Sequence, residues 1–472
     1  MAVYSVVSLF SGAGGLDLGF VQTGKYRVVF ANDILEPAAK TYAGNFGLKF
    51  EICTGGERAE AEPGTVLACD VQQVDFSGLE SMEVDVLLGG PPCQDFSIVR
   101  GPEWDRKGIE VRRGRLYAHF VRALAELQPK IFVFENVPGL TSANRGLAYK
   151  VILEDFRDLK LRWPEVRRVI SGLNSPSPTE GYEIVYAGTA DFSRLGVPQK
   201  RERLIIVGVR RDLVRGLERL WSIRERVEAV LSGRRWLFRK YPLTPLEVFE
   251  GRRLDELGGR YREVVKEWEG VWEEVGTERA LRWRREVWDK LTFDVIKDYL
   301  LANGVERAAE EELEEALSQH EAVLRELGCW GIPVSKLKLA DGTTDPPRED
   351  PAVVERMRRI PPGENHEFVR GARWEVEGRG ISLVYRRIHP LKPAYTIVAY
   401  GGGGTHGYHY ERGRVALTLR EKARLQTLPD SFLFAGSKTE IRAQIGEAVP
   451  PLASKRLAEV LAEILEDLNQ GS

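Results

Sequence analysis

Short apolar runs alternate with longer amphipathic stretches over the first 210 residues of the chain. Short runs rich in β-branched residues are typical of buried strands, and apolar residues that recur every three or four positions are typical of helices. Strands and helices that alternate in this way predict a doubly wound, mostly parallel α/β sheet. We expect strands at residues 5–10, 26–31, 84–88, 131–134, 183–187 and 203–209, and helices at residues 116–127 and 149–160.

The pattern changes near residue 210, where long, charged, tryptophan-rich stretches replace the short apolar runs. The charged run 307–317 has the pattern of a helix with one solvated face. Strand-like segments return at residues 382–386 and 395–400, and an amphipathic helix is expected at residues 453–468. We therefore predict one domain formed by residues 1–210 and 446–472, and a second, largely helical domain, residues 211–445, inserted between them.

The composition narrows the class of protein. The chain has 472 residues, of which 43% are hydrophobic and 29% charged, as in an ordinary globular protein. No apolar run approaches the roughly 20 residues of a membrane span, and the amino terminus resembles a buried strand, so we expect a cytoplasmic protein. The net charge of −2 still allows local basic surfaces. The four cysteines form no CxxC pair, so neither a metal site nor a disulfide framework is expected.

A glycine-dense turn, Leu-Phe-Ser-Gly-Ala-Gly-Gly-Leu at residues 9–16, follows the first predicted strand. Glycines let a cofactor approach the backbone, and a helix amino terminus offers N–H donors. Ligands of such sheets bind beyond the carboxyl ends of the strands, where Asp33 would suit a ribose diol and Asp70 an adenine amine. The turn alone also fits a nicotinamide dehydrogenase, and either acid alone fits a helix cap or a turn.

One of the cysteines lies in a turn that sets it apart from the others. The segment Gly-Gly-Pro-Pro-Cys-Gln-Asp-Phe-Ser, residues 89–97, directly follows the strand expected at 84–88. Two prolines stiffen this turn, so we expect Cys93 to be held out over the sheet edge. A cysteine is more often a small buried residue, but a thiol in this position is placed to act as a nucleophile.

Polar residues also flank two further strands. Glu135 directly follows the strand at 131–134, where a carboxyl could share a proton with a bound base. In the segment that enters the strand at 203–209, Gln199, Arg201 and Arg203 alternate and are expected to face the same side. Two guanidiniums there could hold a base carbonyl and a phosphate.

Together, and in this order, these segments resemble the cytosine-5 DNA methyltransferases, whose motifs include Phe-Ser-Gly-Ala-Gly-Gly, Pro-Pro-Cys-Gln, Glu-Asn-Val and Gln-x-Arg-x-Arg. Residues 417–432 and 444–451 are similar to the ninth and tenth motifs of the family. The resemblance covers residues 5–210 and 380–465. It implies a Rossmann-like methyltransferase domain, S-adenosyl-L-methionine as the cofactor and double-stranded DNA as the substrate, with residues 211–445 as a target-recognition domain ending in a hinge segment.

The resemblance also implies a mechanism. The target cytosine is flipped out of the duplex, Cys93 adds to its carbon 6, and Glu135 engages ring nitrogen 3. Carbon 5 then takes the methyl group, and loss of its proton expels the thiol. Arg203 would contact the base carbonyl, and Arg201 would hold a phosphate or orient Glu135.

The remaining expected contacts follow from the same resemblance. The cofactor site would be formed by Phe10, Ser11, Gly12, Ala13, Gly14, Gly15, Leu16, Asp33, Ile34, Asp70, Val71, Pro92, Leu116, Glu447, Ala448 and Val449. DNA would be contacted by Gln94, Ser97, Gln199, Thr396, Tyr400, Gly401 and Gly402. The basic loop between residues 94 and 115 would close over the DNA.

One residue departs from the family pattern: Glu447 stands where the family nearly always has Asn. A carboxylate there adds negative charge near the nucleophile, so we expect an altered pH optimum or donor preference. Two alternatives stay open, a tRNA-directed cytosine-5 methyltransferase and a catalytically impaired DNA-binding homologue, although the usual Cys-Phe-Thr signature of the former is absent. A monomer associated with the nucleoid is expected, with a cognate restriction endonuclease as a candidate partner.

Overall fold

The computed structural model describes residues 3–53, 58–92, 115–170, 179–214, 216–376, 384–400, 404–405 and 407–470. The chain forms two compact units. The first unit comprises Met1–Phe192, Glu202–Arg234 and Ala448–Ser472, and the second comprises Ser193–Arg201 and Arg235–Glu447.

The first unit is built on an eight-stranded sheet, in the order β3-β5-β2-β1-β7-β8-β10-β9. Strands β9 and β10 are antiparallel to their neighbours, and the other pairs are parallel. A separate two-stranded pair joins β4 and β6. The strands are β1 Tyr4–Leu9, β2 Tyr26–Asp33, β3 Lys49–Ile52, β4 Ala59–Glu60, β5 Thr65–Ala68, β6 Val74–Asp75, β7 Val86–Gly89, β8 Ile131–Asn136, β9 Tyr182–Asp191 and β10 Glu202–Arg210.

Helices of the first unit alternate with these strands, as the sequence predicts. They are α1 Gly15–Gln22, α2 Glu36–Phe46, α3 Arg115–Leu127, α4 Leu147–Arg157, α5 Leu159–Val169 and α6 Leu217–Leu231. The second unit contains α7 Pro245–Glu250, α8 Gly258–Lys266, α9 Val271–Val275, α10 Glu278–Glu286, α11 Val295–Ala302, α12 Glu310–Glu326, α13 Pro351–Met357, α14 Leu419–Leu425 and α15 Lys438–Glu447, and the chain returns to the first unit with α16 Pro451–Gln470.

Short 3-10 helices connect many of these elements. They lie at Val71–Gln73, Phe76–Leu79, Pro138–Thr141, Ala143–Gly146, Phe192–Leu195, Arg211–Leu213, Leu237–Arg239, Leu254–Leu257, Trp288–Lys290, Val334–Lys336 and His366–Val369.

The boundary of the first unit lies beyond residue 210, where the sequence pattern predicted it, because helix α6 belongs to this unit. This helix packs against β9 and α16, so the first unit continues to Arg234. Residues 193–201 lie in the second unit instead of the first, and the return to the first unit begins at Ala448 instead of 446. The tertiary packing of one helix, which the change in sequence pattern did not reveal, accounts for most of the difference.

The doubly wound α/β sheet is confirmed, and each of the six expected strands is present. The helix expected at 149–160 is interrupted at Asp158, which separates α4 from α5. The prediction of a strand at 395–400 was wrong, because none of these residues joins a sheet and the isolated bridge to Gln199 is formed by the preceding Ala394. Among the described residues, no helix is long and apolar enough to span a membrane.

Each unit has its own aromatic core. In the first, Phe132 on β8 lies 4.6 Å, centroid to centroid, from Phe156 on α4. In the second, Trp268, Trp272 and Trp283 are each less than 8% exposed. These tryptophans are therefore core residues of the second unit.

Candidate active site

The glycine turn between β1 and α1 has the backbone that its sequence predicts. Phe10, Gly12 and Gly14 all have positive φ, at 54°, 54° and 91°. A Cβ on Gly14 would lie 2.6 Å from the ring of Phe46, so only glycine fits there. A Cβ on Gly12, in contrast, would meet no described atom within 4 Å. The turn is therefore tight on the side of α2 and open at Gly12.

The carboxyl-terminal segment returns to this turn. A Cβ on Gly15 would lie 2.5 Å from the backbone oxygen of Val449 and 3.1 Å from the Cβ of Ala448. Ala448 and Val449 are both buried. Two segments of the chain separated by more than 400 residues thus form one wall of the candidate cofactor site, as the expected residue set requires.

Asp33 joins the glycine turn to the end of β2. Its Oδ2 accepts a hydrogen bond of 2.8 Å from the backbone N–H of Gly12, and its Oδ1 accepts one of 2.8 Å from that of Leu35. Burial raises the pKa of Asp33, and the backbone hydrogen bonds oppose this shift. Each carboxylate oxygen has a second lone pair with which to accept a ribose hydroxyl. The neighbouring Ile34 is 65% exposed and offers an apolar surface.

Asp70 follows β5 and caps the 3-10 helix Val71–Gln73. Its Oδ1 accepts a 3.0 Å hydrogen bond from the backbone N–H of Gln72. Val71 is 3% exposed and its side chain lies in the core, so only its backbone is left for the expected contact with a cofactor. Leu116 is half-buried and Pro92 is exposed.

A disulfide lies directly before Asp70. Cys53, which follows β3, is bonded to Cys69, which follows β5. The expectation that the cysteines form no disulfide was wrong, because β3 and β5 are neighbouring parallel strands whose carboxyl ends bring the two residues together.

Glu135 and Arg203 form an ion pair at the edge of the sheet. Glu135 lies near the end of β8 and Arg203 near the start of β10, and 2.9 Å separates Oε1 of Glu135 from Nε of Arg203. Both side chains are less than 15% exposed. A Cβ on Gly90 would lie 2.9 Å from Oε2 of Glu135, so this glycine leaves room for the second carboxylate oxygen. Arg203 therefore orients Glu135, which the family resemblance implied as one of two alternative roles for Arg201.

Asn136 anchors the turn that leads to Cys93. Its Nδ2 donates a 2.8 Å hydrogen bond to the backbone oxygen of Pro91, and its Oδ1 accepts one of 2.9 Å from the N–H of Val137. No role was expected for Asn136 or Gly90 from the sequence. Their place beside Glu135 and in the proline turn was the signal that could have identified them.

Arg201 is fully buried in the second unit and does not fit the expected contact with a phosphate. Its Nη2 donates to the backbone oxygens of Gly446 and Glu447, at 2.8 and 3.4 Å, and its Nη1 donates to that of Ile397 at 3.2 Å. These are the last carbonyls of α15 and one carbonyl of the neighbouring segment. Arg201 thus caps a helix carboxyl terminus, where a cation is favourable.

Gln199 is also fully buried, which does not fit the expected contact with DNA. Its Nε2 donates to the backbone oxygen of Leu425 and to Oε1 of Gln426, both at 2.8 Å, and its Oε1 accepts from the N–H of Ile397 at 3.0 Å. With these partners Gln199 holds the segment around Ile397 in place.

Thr396 and Tyr400 lie on that segment and are exposed. Thr396 donates its hydroxyl proton to the backbone oxygen of Lys200 at 2.5 Å, and Tyr400 is 63% exposed. Both remain accessible to a large ligand. Glu447, the departure from the family pattern, is exposed at the end of α15.

Several expected site residues lie outside the described residues. They are Cys93, Gln94, Ser97, Gly401 and Gly402, together with the basic residues between 94 and 114. Among the residues that are described, no cluster of three or more metal-ligating side chains occurs.

The fold and these groups define a doubly wound α/β protein with an open glycine turn after the first strand and a carboxylate–guanidinium pair on adjoining strands. The residues fit S-adenosyl-L-methionine, since the turn is open at Gly12 and carboxylates follow β2 and β5. The family model of the C-5 cytosine-specific DNA methylases matches residues 4–228 and 348–463, well over half of the chain.

Similar proteins agree with this match. The DNA (cytosine-5-)-methyltransferase M.ApeKI of Aeropyrum pernix is 69% identical over 99% of this chain and 100% of its own length. The type II methyltransferase M.NgoFVII of Neisseria gonorrhoeae is 31% identical over 98% of this chain and 87% of its own. A DNA modification methyltransferase from an Escherichia coli prophage shares the fold, with a TM-score of 0.54 and 21% identity over 98% of this chain and 99% of that chain.

The chain belongs to the C-5 cytosine-specific DNA methylases. It is a DNA (cytosine-5-)-methyltransferase, which uses S-adenosyl-L-methionine to methylate carbon 5 of cytosine in DNA. The doubly wound methyltransferase fold is thereby confirmed, as are the cofactor and the DNA substrate.

Proposed function

We propose that Cys93, Glu135 and Arg203 form the catalytic group of this enzyme. The observation that carries the proposal is the 2.9 Å ion pair between Arg203 and Glu135, whose other carboxylate oxygen faces Gly90. Gly90 follows β7, and the turn 91–92 leads from it to Cys93. Because β7 and β8 are parallel neighbours, Glu135 and the beginning of the Cys93 turn lie at the same sheet edge.

Each residue has a distinct role in the proposal. The thiolate of Cys93 adds to carbon 6 of the flipped cytosine, which makes carbon 5 nucleophilic. The carboxyl of Glu135 carries a proton on the oxygen that faces Gly90 and donates it in a hydrogen bond to ring nitrogen 3, which stabilises the electron density that reaches the ring. Arg203 fixes the carboxyl orientation. After carbon 5 has taken the methyl group, removal of its proton by water breaks the bond between sulfur and carbon 6 and releases Cys93.

S-Adenosyl-L-methionine supplies an electrophilic methyl group when bound. We propose that the turn 10–16, Asp33, Ile34, Asp70, Leu116, Ala448 and Val449 hold it, with Pro92 at the edge of the site. Asp33 is already oriented by two backbone donors, so it can accept a ribose hydroxyl without losing side-chain freedom on binding.

Thr396 and Tyr400 are proposed as DNA contacts on the second unit, whose role is to recognise the target sequence. Both are exposed, on a segment that the buried Arg201 and Gln199 hold at Ile397. We further propose that the enzyme methylates cytosine within one specific DNA sequence and that a cognate restriction endonuclease accompanies it. It would act as a monomer on nucleoid DNA in the cytoplasm. Type II methyltransferases among the relatives support the endonuclease.

The test of the catalytic group is Glu135→Gln, with Glu202→Gln as the matched control. Glu202 lies on the neighbouring strand and is exposed. We expect Glu135→Gln to lower kcat for methyl transfer to duplex DNA by about 100-fold or more, while the Kd for S-adenosyl-L-methionine stays the same. A kcat within about threefold of wild type, or an equal loss in Glu202→Gln, would contradict the assignment. Methyl transfer to transfer RNA is measured in parallel, because a tRNA-directed methyltransferase is the alternative function.

A further inference from the structure

The disulfide between Cys53 and Cys69 lies in a part of the fold that no catalytic step uses. It connects the ends of two strands, of which β3 is the edge strand of the sheet. Strand β3 has only four residues, pairs on one side, and contains no fully buried residue. Such a strand gains little from burial and is expected to fray at its end.

The last ladder contacts explain what the disulfide fixes. Ile52 pairs with Ala68, and the N–H of Cys53 donates to the backbone oxygen of Ala68 at 3.3 Å. The disulfide lies one residue beyond this pair, on the side that leads directly into Asp70. It therefore closes the end of the β3–β5 ladder immediately before the proposed adenine-binding carboxylate.

Cys69 is also bonded to the strand that carries the proposed ribose-binding residue. Its N–H donates to the backbone oxygen of Asp33 at 2.9 Å. Its backbone oxygen accepts a 2.8 Å hydrogen bond from Nδ2 of Asn32, a buried side chain. One residue thus joins the disulfide, Asp33 and Asp70, and any displacement of Cys69 is transmitted to both carboxylates.

The helix that Asp70 caps contacts the disulfide from the other side. Oε1 of Gln73 lies 3.3 Å from Sγ of Cys53 and 3.6 Å from Sγ of Cys69. Gln73 is the last residue of the 3-10 helix whose first N–H groups face Asp70. The two sulfurs therefore support both the strand that precedes Asp70 and the helix that follows it.

We propose that the Cys53–Cys69 disulfide is a positioning element of the S-adenosyl-L-methionine site, and that its reduction weakens binding of the methyl donor. This inference rests on the proposed role of Asp70 in the cofactor site. A dithiol reductant acts by thiol–disulfide exchange. One of its thiolates attacks a bridge sulfur, and its second thiol resolves the mixed disulfide, which gives two cysteine thiols and the oxidised reductant.

The chain offers a background in which only this disulfide responds to a reductant. There are four cysteines, so the variant Cys93→Ala/Cys329→Ala retains Cys53 and Cys69 alone. Mass spectrometry after thiol labelling reports the state of the pair. The Kd for S-adenosyl-L-methionine is measured by calorimetry on the oxidised and the dithiothreitol-reduced protein, below the Tm of the reduced form.

We expect reduction to raise this Kd about fivefold or more, and Cys53→Ser/Cys69→Ser in the same background to raise it equally and to be insensitive to dithiothreitol. With Cys93 intact, Cys53→Ser/Cys69→Ser should raise KM for the donor and leave kcat within about twofold. Linkage requires that bound donor shift the disulfide–dithiol equilibrium toward the disulfide by the same factor as the affinity change.

Three results would overturn the inference. The first is free thiols at Cys53 and Cys69 in the protein as purified, and the second is a Kd for S-adenosyl-L-methionine that reduction leaves unchanged. The third is a lowered Tm without any change in this Kd, since that result would show a disulfide that only stabilises the fold. Failure of the proposed donor site looks different. In that case the oxidised protein does not bind the donor, or Asp70→Ala binds it as tightly as the background protein does.

Discussion

Two arginines, one in each unit, have different kinds of partner: a carboxylate in the first unit, and backbone carbonyl oxygens in the second. At the sheet edge of the first unit, Arg203 holds one oxygen of Glu135 and leaves the other facing Gly90. In the second unit, the guanidinium of the fully buried Arg387 donates to the backbone oxygens of Ile360 and Glu411, at 2.7 and 2.8 Å, among others. Burial lowers the pKa of Arg387 to about 9.

The difference follows from secondary structure. Among the described residues, all ten strands lie in the first unit, and the second unit has only isolated bridges. The loops of the second unit therefore carry carbonyl oxygens that no sheet satisfies. Buried carbonyls need donors, and an arginine supplies five in a fixed geometry. Arg201, Arg387 and Arg420 provide them here. In the first unit the sheet satisfies the backbone, and Arg203 instead pairs with a carboxylate at the sheet edge.

Replacing Arg203 and Arg201, which are two residues apart in the sequence, should test this comparison with the largest effects. We expect Arg203→Ala to lower kcat by about two to three orders of magnitude, because the carboxyl of Glu135 loses its orientation. The thermal midpoint and the Kd for the methyl donor should stay near wild type. Arg27→Ala, on an exposed position of β2, is the control. A kcat that falls less than about fivefold would remove Arg203 from the catalytic group.

Arg201→Ala should have the complementary effect. Three carbonyls of the second unit lose a donor, so we expect a loss of about 2 kcal/mol in unfolding free energy. Guanidinium-induced unfolding followed by tryptophan fluorescence measures it, since the second unit contains Trp268, Trp272 and Trp283. Arg282→Ala, whose side chain is 57% exposed, should change stability by less than about 0.5 kcal/mol. Equal stability of the two variants would contradict the structural role of Arg201.

A buried histidine makes the stability of the second unit depend on pH. Nδ1 of His320 lies 2.9 Å from Oε1 of Glu247, and Nε2 lies 2.9 Å from the backbone oxygen of Tyr241. Glu247 raises the pKa of His320 against the opposing effects of burial and of Arg253, so this pair favours the imidazolium form. Phe238 and Tyr299 also pack against the ring.

Because the pKa of His320 is raised in the folded protein, the direction of the pH dependence of stability follows. A raised folded pKa contributes stability that is complete below the unfolded value near 6.5 and is lost as pH rises through the folded pKa. We expect the difference in Tm between wild type and His320→Gln to shrink from about pH 6 to about pH 9. A difference that is constant or grows over this range would show that His320 is neutral in the fold.

Glu447→Asn should change the stability only slightly. A carboxylate at the carboxyl end of α15 opposes the helix dipole, so we expect a gain of about 0.5 kcal/mol. The informative readout is the pH–rate profile, which we expect to shift because the resemblance to the family implies a position for this carboxylate beside the methyl donor. An unchanged profile would exclude an effect of Glu447 on the reaction.

The sequence predicted the central sheet because its strands are continuous apolar runs, such as the fully buried β1. It missed β3, whose residues are exposed or half-buried, and also the buried β5, whose apolar run is only four residues long. The alternation rule failed for Arg201 because this residue lies before β10 begins, in the second unit. The disulfide depends on which strands are neighbours, and the order β3-β5-β2 is a property of the tertiary fold.

The most direct test of the account is to trap the covalent adduct. Duplex DNA that carries 5-fluorocytosine at the target site is incubated with the enzyme and S-adenosyl-L-methionine, because fluorine at carbon 5 cannot leave as a proton does. Peptide mapping by mass spectrometry then locates the attachment. We predict one modified peptide, attached through Cys93, and no adduct with Cys93→Ala. An adduct at another residue, or methylation of ordinary DNA by Cys93→Ala, would contradict the account.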